Sequence, residues 1–168
     1  MQYSIHNTRQ TSENIVSHLL NKKYIEVTDK TEAAKDVDSV FVAYKNTEQH
    51  VSNLAQETIA KNDISRDYFY KTKLSIARQN GIEIGENAVA YLIKQIIAVM
   101  MQSPYVDEVY AEDHVLQKNI RPFIREIFAK NKTIDKKIKK QLRHVDENTE
   151  KWKIEYQRLK EKIDSRKS

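Results

Sequence analysis

Asp107, Glu108, Glu112 and Asp113 form the densest group of carboxylates in the chain, and carboxylates brought together by a fold can serve as general acid and base. Their neighbours in sequence point to a plainer role. The β-prone stretch 105–110 followed by a helix start reads as a solvated connector, with acids that favour the positive end of the next helix. The residues three before His6, His18, His50, His114 and His144 are Tyr3, Ile15, Thr47, Ala111 and Gln141, so the Glu-x-x-His pairs of di-iron bundles are missing. Gly81 and Gly85 are the only glycines, too few for a loop that cradles phosphate on backbone amides. With no cysteine, disulfides, thiolate metal sites and cysteine nucleophiles are excluded together. No catalytic, cofactor-binding or metal-ligating residue is assigned, and no cofactor is expected.

The spacing that does suggest a partner is cationic. Residues 118–168 carry 17 Lys and Arg against 8 Asp and Glu, a net of +9, while residues 1–117 carry 12 against 16, a net of −4. On a helix through 134–145, Ile134, Ile138, Leu142 and Val145 define one face, and Lys136, Lys140 and Arg143 fall opposite it. Lys137 and Lys139 flank that row. Such a stripe would follow a phosphate backbone with an affinity that drops as salt rises. The plain alternative is a solvated helix face in a Lys-rich protein.

The elements that must position these residues read as helices. Low Gly and Pro with abundant Lys, Glu, Gln, Ile and Ala predict an all-α chain with short connections. The centre is the stretch 87–101, where Val89, Leu92, Ile93, Ile96, Ile97, Met100 and Met101 give a wide apolar face at helical spacing. At 1.5 Å per residue it spans roughly 22 Å, too short for a bilayer, and Lys94 interrupts it. No membrane association is expected. Before it, one helix over 12–22 faces inward with Ile15, Val16, Leu19 and Leu20. A second, capped by Thr28 or Asp29, runs through Tyr44, a third runs from Thr47 to Ala60, and a fourth runs from Ser65 to the stop at Asn80-Gly81. After it, Ser103-Pro104 ends the central helix. A sixth helix from Glu112 contains Pro122 and should kink there, a seventh starts after Thr133, and Thr149 caps an eighth carrying Trp152, Tyr156, Leu159 and Ile163. Residues 24–27 and 105–110 read as extended connectors.

A duplication is suggested when the chain is laid over itself. At an offset of 81, Ile15, Val16, Leu19, Leu20, Tyr24 and Ile25 fall on Ile96, Ile97, Met100, Met101, Tyr105 and Val106, and at 83 Val37, Val40, Phe41 and Tyr44 fall on Ile120, Phe123, Ile124 and Ile127. The expectation is a single domain over 1–168, a bundle of about eight helices in two similar four-helix halves, 11–81 and 86–165.

The segment Val145-Asp146-Glu147-Asn148-Thr149-Glu150-Lys151-Trp152-Lys153-Ile154-Glu155-Tyr156, with Asp107-Glu108-Val109-Tyr110-Ala111-Glu112-Asp113, resembles the bacterial domain-of-unknown-function family numbered five hundred and seven. The resemblance implies a compact helical fold and a bacterial cytoplasmic setting, and it brings no activity with it. Residues 1–6 lack a basic region followed by an apolar run, so no secretory signal is expected. The first expectation for function is a non-enzymatic cytoplasmic binding or adaptor protein with a protein partner. The second is a nucleic-acid or ribosome-associated factor using Lys136, Lys137, Lys139, Lys140 and Arg143. An enzyme ranks third.

Overall fold

A computed structural model of the chain describes residues 7–147 and 149–166. Residues 1–6 and Asn148 of the family-like segment lie outside them. In order come α1 (Thr8–Asn21), β1 (Ile25–Val27), α2 (Lys30–Lys61), α3 (Phe69–Gln79), α4 (Ala88–Gln102), β2 (Val106–Val109), α5 (Asp113–Gln141) and α6 (Glu150–Ser165). Short 3-10 turns, Arg66–Tyr68 and Gly85–Asn87, precede α3 and α4. The all-helical expectation holds in outline, with a small sheet added.

The count of eight helices is corrected to six among the described residues. Thr47, expected to start a third helix, instead donates its hydroxyl back to the Ala43 carbonyl at 3.0 Å, and Thr133 does the same to Ala129 at 3.1 Å. A Thr that bonds the carbonyl four residues earlier sits inside a helix and does not cap one. The expected second and third helices are therefore one 32-residue α2, and the sixth and seventh are one 29-residue α5. Pro122 does not break α5. It faces solvent, so water can reach the carbonyl its missing N–H leaves unpaired. The division into two four-helix halves is corrected too, because one apolar cluster runs from Ile15 through Phe41 and Ile93 to Ile127 across the supposed boundary.

The local signals that worked are caps and stops. Asp29 Oδ1 accepts from the Glu32 amide at 3.0 Å and starts α2. Gly81, at φ 72°, ends α3, and the Ile82 amide returns to the Ala77 carbonyl at 3.1 Å. Thr149 Oγ1 accepts from the Trp152 amide at 3.3 Å at the head of α6. The two extended connectors are strands that pair antiparallel with each other, Ile25 opposite Val109 and Glu26 opposite Glu108.

In α4, Leu92, Ile93, Ile96 and Met100 are fully buried, whereas Met101, expected on the same face, is exposed. α4 packs between α2 and α5, α1 packs on α2 and α5, and α3 lies along α2. Between α2 and α3, Glu48 and Lys73 form an ion pair with both side chains at most 4% exposed. Ser52 Oγ donates to Glu48 Oε1 at 3.4 Å. α6 packs on the last turns of α5 around a second, smaller cluster of Ile138, Leu142 and Tyr156. Between the clusters, on the buried face of α5, Asn131 Nδ2 has no hydrogen-bond partner among the described residues.

Candidate nucleic-acid interface

α5 exists because Leu116, Ile120, Ile124, Ile127, Asn131 and Ile138 place one continuous buried face along it. That face fixes which way every other side chain of the helix points. At 100° per residue, His114, Lys118, Arg121 and Arg125 fall within a sector about 60° wide. Eighteen residues make five turns, so Lys132, Lys136, Lys139 and Arg143 repeat the same four positions. Arg143 stands just past the helix end, in the turn that follows Leu142. Six of the eight are exposed, and Arg121 and Lys139 are half-buried.

Carboxylates are sparse along this stripe. His114 Nδ1 lies 3.2 Å from Glu112 Oε2, and Lys139 Nζ lies 3.4 Å from Asp135 Oδ2. Lys118, Arg121, Arg125, Lys132, Lys136 and Arg143 have no carboxylate partner among the described residues. The Lys130–Glu126 pair sits on another flank of the helix.

The sequence-predicted residues are placed unevenly. Lys136 and Arg143 lie in the stripe, Lys140 is exposed beside it, and Lys137 is exposed but turned about 100° from Lys136. Lys139 lies in the stripe but is tied to Asp135. Sequence reasoning missed His114, Lys118, Arg121, Arg125 and Lys132. Their signal was present as the i, i+4, i+7, i+11 spacing of basic residues, repeated after eighteen.

The head of the stripe borders two shallow depressions, of about 370 Å³ beside Arg121 and Arg125 and about 610 Å³ between α1 and α5. In the second, Asn119 Nδ2 donates to the Val115 carbonyl at 2.8 Å, which leaves Asn119 Oδ1 as an acceptor for His18 Nε2–H at 2.9 Å. That bond selects the ring tautomer and holds α1 against α5. A third hollow, about 650 Å³, lies between α2 and the α5–α6 hairpin and is lined by Ile59, Phe69, Asp135, Lys139, Trp152 and Tyr156. The carboxylates Asp107 and Glu108 on β2, Glu112 in the turn after it and Asp113 at the start of α5 are all exposed, and line none of these hollows. Among the described residues no group of three or more acidic or histidine side chains could hold a metal, and no helix is long and apolar enough to cross a membrane.

The family-like segments now have places in the fold, one at β2 and the start of α5, the other at the turn into α6. Residues 1–168, the whole chain, match the family model described as Protein of unknown function (DUF507). The chain belongs to the DUF507 family. The family expected from the Trp152 and Asp107 segments is thus the one shown. No curated protein matches this DUF507 chain.

One titrating group in the DUF507 hairpin gives a measurable prediction. Burial, and then the hydrogen bond its hydroxyl donates to Asp135 Oδ1 at 2.6 Å, hold Tyr156 well above the ordinary phenol range. A folded-state pKa above the unfolded one contributes stability that is intact below about pH 10 and is lost as pH rises beyond it. Wild-type protein should therefore weaken above about pH 10, and Tyr156→Phe should flatten that decline while costing about 1 kcal/mol at neutral pH. Urea melts across pH read by Trp152 fluorescence check this. An unchanged alkaline slope in the variant would rule out the assignment. Tyr91, raised by burial, and Tyr110, raised chiefly by its bond to Glu26, titrate in both proteins, so the difference belongs to Tyr156.

Proposed function

We propose that this is a non-enzymatic binding protein of the bacterial cytoplasm that lays the exposed face of α5 along a nucleic-acid backbone. The observation that carries the reading is the two-quartet stripe from His114 to Arg143 on one helix face, with six Lys and Arg side chains free of carboxylate partners among the described residues. Ion pairing with phosphates needs unneutralised cations held in a row, and a helix anchored by its opposite face supplies them. Because the contacts would be to phosphate, binding would be insensitive to base sequence.

The test is a polarisation titration of labelled mixed-sequence RNA and duplex DNA at about 50 and 200 mM salt. Five to seven phosphate contacts would lower affinity by about 10³-fold between those conditions. Lys118→Glu, Arg125→Glu, Lys132→Glu and Lys136→Glu together should abolish binding while leaving the helical circular dichroism unchanged. No binding at the lower salt, or full binding by the variant, sinks the reading.

An adaptor for a protein partner is the second reading. It rests on the hollow beside α6, where half-buried Phe69 and Trp152 stand near Lys139. It predicts a protein partner whose binding survives both salt and the stripe variant.

A further inference from the structure

The head of the stripe differs from the rest of α5 in what stands beside its cations. The depression between α1 and α5 is walled by three rings, those of His18, Tyr24 and Phe123, and all three are half-buried. Tyr24 and Phe123 pack against the main core and line the hollow with what remains of their surface. Lys118 and Pro122 line this hollow and also the smaller one, which continues past them to Arg121 and Arg125. Rings and cations therefore share one continuous surface. We propose that this surface takes a single-stranded nucleic acid, with a base laid against the rings of the α1–α5 hollow and its phosphates on Lys118, Arg121 and Arg125. This rests on the phosphate-binding reading of the same helix and adds what that face does with the bases.

The rings are held in place before any strand arrives. Tyr24 follows Lys23, whose φ of 59° turns the chain out of α1, and the Tyr24 amide bonds the Leu19 carbonyl at 3.0 Å. Its carbonyl accepts the Tyr110 amide at 2.8 Å, just past β2. Phe123 meets His18 edge-on with ring centres 5.4 Å apart, and His18 is fixed in turn by its bond to Asn119. Rings held this way lose little freedom on binding. The hollow, about 610 Å³, falls within the roughly 300–1,000 Å³ of small-molecule sites. Inside a duplex both faces of a base are covered by its neighbours, so no ring can reach them. In a single strand the bases can splay out and stack on Phe, Tyr and His side chains, whatever the sequence. A surface that met phosphate alone would instead favour the duplex, whose charge is denser.

The experiment uses the full chain at about 100 mM salt and three labelled probes. They are a mixed-sequence RNA strand of about 12 nucleotides, the same strand paired with its complement, and an abasic strand of equal length that keeps the phosphates. The expected result is binding to the RNA strand about tenfold or more tighter than to the abasic strand, and tighter than to the duplex. Tyr24→Leu with Phe123→Leu keeps apolar volume and removes two rings. It should lower affinity for the RNA strand by about tenfold or more and leave that for the abasic strand unchanged. Equal affinity for the two strands, or preference for the duplex, overturns this inference and leaves the phosphate-binding reading standing. A ring variant that keeps full affinity for the RNA strand, or loses both strands alike, overturns it as well. No binding to any probe removes both.

Discussion

Replacing Lys73 by Met should destabilise the protein by about 3–5 kcal/mol, because it leaves the Glu48 carboxylate charged and buried without its cation. Ser52 Oγ, at 3.4 Å, is a poor substitute. α3 buries only Lys73 and Ala77, so the ion pair stands at the centre of its contact with α2. The paired replacement Glu48→Leu with Lys73→Met removes both charges, and should cost far less than the single change or even stabilise by about 1 kcal/mol or more. Urea melts decide between them, with a single-variant midpoint lowered by about 1–3 M at the usual slopes for small proteins. If the double variant is as unstable as Lys73→Met, the buried charge is not the source of the loss.

Ile138→Ala should have the second large effect, and the effect should be local. Ile138 is completely buried, and truncations of this kind cost about 2–5 kcal/mol. Among the described residues the cluster it anchors has Leu142 and Tyr156 as its further buried hydrophobic members, against more than twenty in the main core. Asn131, with its unpaired Nδ2, weakens the continuity of the two clusters along α5. We expect amide exchange to accelerate across α6 and the last turns of α5, while α1 and α4 keep their protection. Ile96→Ala, in the main core, should instead lower protection everywhere. Equal loss in α1 and α6 after Ile138→Ala would show that the hairpin is not an independent unit.

What could be read from the sequence, and what could not, divides along physical lines. Signals that act over a few residues were legible: the apolar face of α4, the Asp29 and Thr149 caps, and the glycine stop after Asn80. A Thr has two uses, capping a helix or bonding back within one, and the sequence around Thr47 and Thr133 does not distinguish them. The choice is made by buried residues that keep helical spacing across each Thr, Tyr44, Glu48 and Val51 on α2 and Ile127, Asn131 and Ile138 on α5. The pairing of β1 with β2 was invisible for another reason, since strand partners more than eighty residues apart leave no trace in local spacing. The candidate site was half legible. Splitting α5 at Thr133 hid the register between Lys118 and Lys136, so of the stripe only Lys136, Lys139 and Arg143 were named.

That distant strand pair also bears on the order in which the protein can assemble. Ile25 meets Val109 only after 84 further residues have been made, and Thr28 waits 77 for the Tyr105 carbonyl that its amide bonds at 2.9 Å. During synthesis α1, α2 and α3 emerge together and can pack on one another, but the side of α2 that receives α4 stays uncovered until residue 102 has left the ribosome. The sheet is thus a closing clasp, and a chain truncated before residue 106 would expose apolar surface without it.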